Sequence, residues 1–136
     1  MIFIQTYSRF FGRIFISLIF LMAGISKISG YADTAAYMQA MGVPSQLLPI
    51  VIFTEITGAL LIILGYKTRL TAFLLAGFCL ISALMFHFNF ADQTQSVLFM
   101  KNMAIAGGFL FLVANGPGQW ALDNKNDSAP PTGANA

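Results

Sequence analysis

The apolar residues of this chain fall into four long blocks separated by short polar or glycine-rich breaks. The first block runs from about Arg9 to Ile28, the second from Gln46 to Leu64, the third from Leu70 to Phe90 and the fourth from Val97 to Asn115. Each is long enough to cross a hydrocarbon layer, which takes roughly 20 helical residues at a rise of about 1.5 Å. The breaks contain what helix ends require: Ser29-Gly30, Gly42-Val43-Pro44, Gly65-Tyr66-Lys67, the polar run from Asp92 to Ser96, and Gly116-Pro117-Gly118. The pattern predicts an all-α membrane protein, a four-helix transmembrane bundle with both termini on one side.

The loop between the first two spans has a pattern of its own. Asp33 or Thr34 is placed to cap a short helix that carries Tyr37, Met38 and Met41 on one side and ends at Gly42 and Pro44. It reads as an interfacial helix over the outer end of the bundle, or as a loop pinned by Tyr31 and Tyr37 at the aromatic belt. The membrane domain is expected to occupy residues 1–123. The segment from Asn124 to Ala136 is polar and rich in Pro and Asn, with no apolar periodicity, and is expected to be a disordered tail.

Composition narrows the function classes. Of the 136 residues 57% are hydrophobic and 9% charged, whereas a soluble domain carries roughly 25% charged residues. That excludes a soluble globular protein and makes the lipid bilayer the first partner. The single cysteine excludes an intrachain disulfide, and with a single histidine it cannot complete a zinc, iron–sulfur or bis-histidine haem site within one chain. A net charge of +2 leaves no nucleic-acid footprint.

The distribution of charge is more informative than its sum. Arg9, Arg13, Lys67, Arg69 and Lys125 flank one face of the predicted bundle, and only Lys27 and Lys101 lie toward the other. By the positive-inside rule the first face, with both termini, is cytoplasmic. A cleavable signal peptide would also explain Arg9, Arg13 and the Gly24-Ile25-Ser26 sequence. However, the apolar run is on the long side for a signal, and cleavage would destroy the charge bias.

Several ionisable residues fall inside the spans: Arg13 and Lys27 in the first, Glu55 in the second, His87 in the third, and Lys101 beside Asn102 in the fourth. A charge at the bilayer centre costs about 2.5 to 3.5 kcal/mol, while each Leu, Ile, Phe or Val returns about 0.3 to 0.6 kcal/mol. The second span holds twelve such residues between Leu47 and Leu64, worth roughly 5 kcal/mol together. Glu55 is therefore expected to have partners.

Helical spacing puts Glu55 on a stripe with Gly58, Ala59 and Ile62, Lys101 on one with Ala104, Ile105 and Gly108, and Lys27 over Gly24 and Ala23. Small residues line helix contacts in membranes, so these stripes should face the interior. From the outer ends, Lys27 lies about 2 Å deep, His87 about 5 Å, Lys101 about 6 Å and Glu55 about 13 Å. Lys101 is the expected partner of Glu55, with Lys27 second, and His87 and Asn102 complete the cluster. Two readings follow. The cluster is a ligand or quinone pocket with Glu55 or His87 relaying protons, or it is an ion pair that fixes helix register. Cys79, mid-span, reads as a small buried hydrophobe.

Taken together, Gly24-Ile25-Ser26-Lys27, Tyr37 through Pro44, Glu55 with Gly58, Leu64 through Arg69, Phe86-His87, and Phe99-Met100-Lys101-Asn102 with Gly107-Gly108 resemble the DoxX family of bacterial membrane proteins. The resemblance extends from about Arg9 to Asp123. It implies a multi-pass protein of the bacterial inner membrane and a link to a quinone-dependent oxidoreductase system, with redox-complex proteins or a second copy as partners; it leaves the cofactor unknown, quinone being the candidate such a link suggests. The family motifs fall on Lys27, Glu55, His87, Lys101 and Asn102, and add Arg69 at the cytoplasmic edge. Fold transfers more readily than activity, so a non-enzymatic bundle that binds or moves a small molecule, or assists assembly of a membrane complex, is the alternative.

Overall fold

The computed structural model describes residues 1–127. Among them are six α-helices, a 3₁₀ turn and no strand: α1 (Ile2–Ser29), α2 (Tyr31–Ala40), the turn Ser45–Leu47, α3 (Leu48–Leu64), α4 (Thr68–Phe86), α5 (Gln93–Asn115) and α6 (Asp123–Asp127). Helices α1, α3 with its preceding turn, α4 and α5 are each long and apolar enough to cross a membrane. The four expected spans are therefore present. The chain is an all-α membrane bundle.

Packing is uneven. α1 lies along α3, α4 lies along α5, and a lighter α3–α4 contact joins the two pairs. The shared core contains Phe20, Ala59, Ile62, Ala72, Leu75, Ala76, Cys79, Ala106 and Phe109, so Cys79 sits where a small hydrophobe belongs. Small residues let the backbones approach, because lipid offers no hydrophobic drive for helix association. At Gly24 a Cβ would lie 2.5 Å from Ile56 Cγ1 and 3.4 Å from Glu55 Cβ, and at Gly58 it would lie 2.8 Å from Leu75 Cδ2. Large apolar side chains such as Phe53 and Phe111 remain 68% and 74% exposed, which suits a surface solvated by lipid rather than water.

The element boundaries depart from the sequence expectation in ways that local chemistry explains. α1 begins at Ile2, about two turns before Arg9, and these turns carry Tyr7, which packs edge-on against Trp120 at 5.1 Å. α2 forms as expected over the outer end, but neither Asp33 nor Thr34 caps it. Both lie inside its first turns, Gly30 takes the cap position without a side-chain bond, and Thr34 Oγ1 donates back to Gly30 O at 2.9 Å. α4 stops at Phe86, not Phe90, so His87 is a C-cap residue. α5 starts earlier than Val97, because the polar run taken as a break is its cap and first turn, with Asp92 accepting from the Thr94 and Gln95 N–H groups.

The expected disordered tail also needs correction at its start. Asn124 to Asp127 belong to the helical turn α6, and Asn124 Nδ2 donates to the carbonyls of Gly118 and Gln119 at 2.6 and 2.7 Å. The remaining tail positions, 128–136, lie outside the described residues. The segment before α6 is tied to the α3–α4 corner by Leu122 N–H to Leu64 O at 3.1 Å and Asp123 N–H to Gly65 O at 2.9 Å. Gly65 holds φ +70°, and a Cβ there would strike both Arg13 Nη1 and Ala121, so the corner admits no side chain.

Candidate functional site

The outer half of the bundle contains the cluster that the sequence singles out, in a changed arrangement. Glu55 is buried on α3 together with Gly58, Ala59 and Ile62, the stripe expected of it. Its partner is Lys27 of α1, whose Nζ lies 2.9 Å from Oε1 and 3.0 Å from Oε2. The expected pairing with Lys101 is not formed. The buried residues of α5 are Ala106 and Phe109, with Asn102 half-buried, so the inward stripe runs one position later than Lys101, Ala104, Ile105 and Gly108. Phe109 fills the core against Phe20 at 5.4 Å, and that rotation carries Lys101 to the rim. Gly24, one turn before Lys27, brings α1 close enough for the short contact.

Around this pair are two adjoining cavities. One, of about 290 Å³, is bordered by Lys27, Glu55, His87, Lys101 and Asn102 together with Cys79, Ser82 and apolar residues. The other, of about 300 Å³, shares Lys27, Glu55, Phe78, Ser82 and His87 with the first and extends beneath α2 along Tyr37, Met38, Leu48 and Phe86. Tyr37 stacks on Phe86 at 5.7 Å, which ties α2 to the end of α4 over this space. His87 Nδ1 lies 2.8 Å from Gln95 Oε1. In the tautomer that donates to this carbonyl oxygen, Nδ1 is the donor and Nε2 faces away from the contact. Gln95 has no apolar periodicity to mark it, because it stands in the polar first turn of α5.

The opposite end holds a second polar joint, and Arg69, assigned to the edge of that end, borders a different concavity described below. Arg13 is fully buried on α1. Its Nη1 donates to the carbonyls of Ile62 and Ile63 at 3.1 and 3.2 Å, and Nη2 donates to Trp120 O. A cation thus meets the carbonyl end of α3, where the helix dipole favours positive charge. The complementary arrangement is found at the amide end of α4. There Asp123 accepts from Lys67 N–H at 2.6 Å, Thr68 N–H at 2.9 Å and Thr68 Oγ1 at 2.7 Å. No periodicity signals Asp123, since it acts on a helix more than fifty positions earlier.

Four spanning helices, an intramembrane Lys–Glu pair and a glycine-cornered α3–α4 loop form the frame in which the comparisons are informative. The DoxX family model matches residues 8–88, more than half of the chain. The chain belongs to the DoxX family. It is 50% identical over 111 residues to the inner membrane protein YqjF of Escherichia coli (strain K12), covering 82% of this chain and 85% of that protein. It is 36% identical over 121 residues to the inner membrane protein YphA of the same organism, covering 83% and 86%. No solved structure matches. This DoxX protein is therefore an integral, multi-pass inner-membrane protein. Lys27, Glu55, Arg69 and His87 lie within the DoxX match, whereas Lys101 and Asn102 lie beyond it.

The second joint makes stability depend on pH. Burial works against ionisation of Asp123. The Thr68 hydroxyl and N–H, the Lys67 N–H and the Arg13 charge outweigh it and hold the carboxyl below the usual carboxylate range. A carboxylate whose folded value is depressed contributes stability in full above its unfolded value and loses it as pH falls through the folded one. Asp123→Asn should thus lower unfolding stability in detergent by about 1 to 2 kcal/mol at neutral pH. The gap from wild type should shrink as the pH is lowered from about 4. A gap that stays constant down to pH 2 would show that the charge of Asp123 is not what stabilises the corner.

Proposed function

We propose that the outer half of the bundle binds a lipophilic molecule with a carbonyl-bearing head, of which a quinone is the class that fits best, and that the chain serves as a subunit or accessory of a quinone-linked oxidoreductase system. The observation that supports this reading is the cavity bordered at once by Lys27, Glu55, His87, Lys101 and Asn102. The ammonium groups of Lys27 and Lys101 and the Asn102 amide are donors suited to carbonyl oxygens, and the adjoining cavity under α2 is mostly apolar, as a ring or tail requires. A bound quinone supplies two-electron, two-proton chemistry. Glu55 and His87 are the groups able to hold a proton beside it. A redox protein or a second copy of the chain is the partner such a role calls for.

The short Lys27–Glu55 contact favours a second reading. In it the pair serves to fix α1 on α3 and the bundle is non-enzymatic, binding or moving a small molecule or assisting assembly of a membrane complex. Bound quinone separates the two. Extraction in mild detergent followed by mass spectrometry should recover quinone at roughly one per chain from wild type. His87→Ala and Asn102→Ala, which leave the Lys27–Glu55 pair in place, should lose it while remaining folded. Its absence from wild type, or its retention in both folded variants, would reject the quinone site.

The same proposal includes an orientation. Both termini and the loop from Gly65 to Arg69 are placed in the cytoplasm, since five of the seven basic residues flank that end. In a Cys79→Ala background, cysteine at Ala91 should react with an impermeant maleimide from the periplasmic side, and cysteine at Tyr66 only after the membrane is opened. The reverse pattern would invert the bundle.

A further inference from the structure

The end of the bundle opposite the Lys27–Glu55 pair contains a concavity of about 700 Å³ formed by the start of α1, the α3–α4 corner and the loop that follows α5. Arg9, Lys67 and Arg69 border it, and the single carboxylate in its lining is Asp123. Both oxygens of that carboxylate are already occupied by the N–H groups of Lys67 and Thr68 and by the Thr68 hydroxyl. Three cations thus face one spent anion. Arg9 and Arg69 make no hydrogen bond or ion pair among the described residues, and both pack beside glycines. A Cβ at Gly116 would lie 3.1 Å from Arg69 Nη2, and one at Gly118 would lie 2.9 Å from Arg9 Cβ. The two glycines, at φ +72° and +86°, therefore seat one arginine on each side of Pro117.

We propose that this concavity is a site for the phosphate of an anionic phospholipid headgroup. Two arginines that border one concavity without a hydrogen bond or ion pair have their donors available for a phosphate, whose oxygens guanidinium groups match. The position favours lipid over a soluble phosphate. Tyr7, Tyr66 and Trp120 are exposed at the same end, and such aromatic residues mark the headgroup level of a membrane. A scatter of basic residues set only by topology would need neither the glycine seats nor the concave shape.

The sequence holds a single tryptophan, Trp120, next to Gln119 in the wall of the site, and its fluorescence provides the test. The full chain is reconstituted in phosphatidylcholine bilayers containing a minor fraction of either brominated phosphatidylglycerol or brominated phosphatidylcholine. Wild type should be quenched more by the brominated phosphatidylglycerol. In the Arg9→Gln/Arg69→Gln double variant the binding preference should fall about tenfold or more. Lys125→Gln, on the same end but outside the lining, should keep the preference. If the double variant does not fold, Arg69→Gln alone should show a smaller loss in the same direction.

Equal quenching by the two lipids in wild type would overturn the site, as would an unchanged preference in the folded arginine variants or an equal loss in Lys125→Gln. Millimolar inorganic phosphate should leave the preference intact. If it abolishes the preference, the lipid assignment fails and a soluble phosphate is the ligand.

Discussion

A carboxylate buried deep between membrane helices must be neutralised where it lies, and in this chain Lys27 does so for Glu55 at 2.9 Å. Removing one partner of such a pair leaves an isolated charge at a cost of about 3 to 5 kcal/mol, a large share of the stability of a small domain. The contact also has a geometric price: α1 and α3 can bring the two side chains together only if their backbones are close. Gly24, against Ile56 and the Glu55 Cβ, permits that approach. The register of α1 on α3 is thereby defined at one point, and the lipid-facing apolar surface has no comparable means of defining it.

The other end is held by complementary electrostatics. Arg13 meets the last carbonyls of α3, and Asp123 meets the first amides of α4. The α3–α4 corner thus has its helix dipoles matched by charges brought from α1 and from the segment after α5. The outer joint lies within the α1–α3 pair, whereas the inner one ties that pair to the segment after α5 and to the start of α4. From the outer joint one of the two adjoining cavities extends beneath the cover formed by α2, and the other reaches toward Lys101 and Asn102 of α5. The charges that stabilise the fold therefore also border the space in which a ligand would sit.

Much of this was legible in the sequence because membrane spans announce themselves by length and composition. The burial of Glu55 with Gly58, Ala59 and Ile62 followed from helical spacing alone. The choice of partner did not, because depth and stripe treat each helix as straight and separately oriented, whereas Phe109 rotates α5 and turns Lys101 toward the rim. The boundaries at His87 and Asp92 were misplaced for a related reason. Phe88 and Phe90 prolong an apolar run that the backbone has already left, and a polar cap looks like loop until its N–H groups are counted. Asp123 and Arg13 acquire their roles through contacts remote in sequence, which no local pattern carries.

Charge exchange across the α1–α3 contact tests most directly whether the ion pair sets the bundle. Lys27→Glu and Glu55→Lys, alone and together, can be compared by unfolding in detergent. If the pair defines the register, each single exchange should strongly destabilise the protein by opposing like charges. The double exchange should recover a substantial part of the loss, with a coupling free energy above about 1 kcal/mol. A double variant whose destabilisation equals the sum of the two singles would show that Lys27 and Glu55 are neighbours without being the joint on which the fold rests.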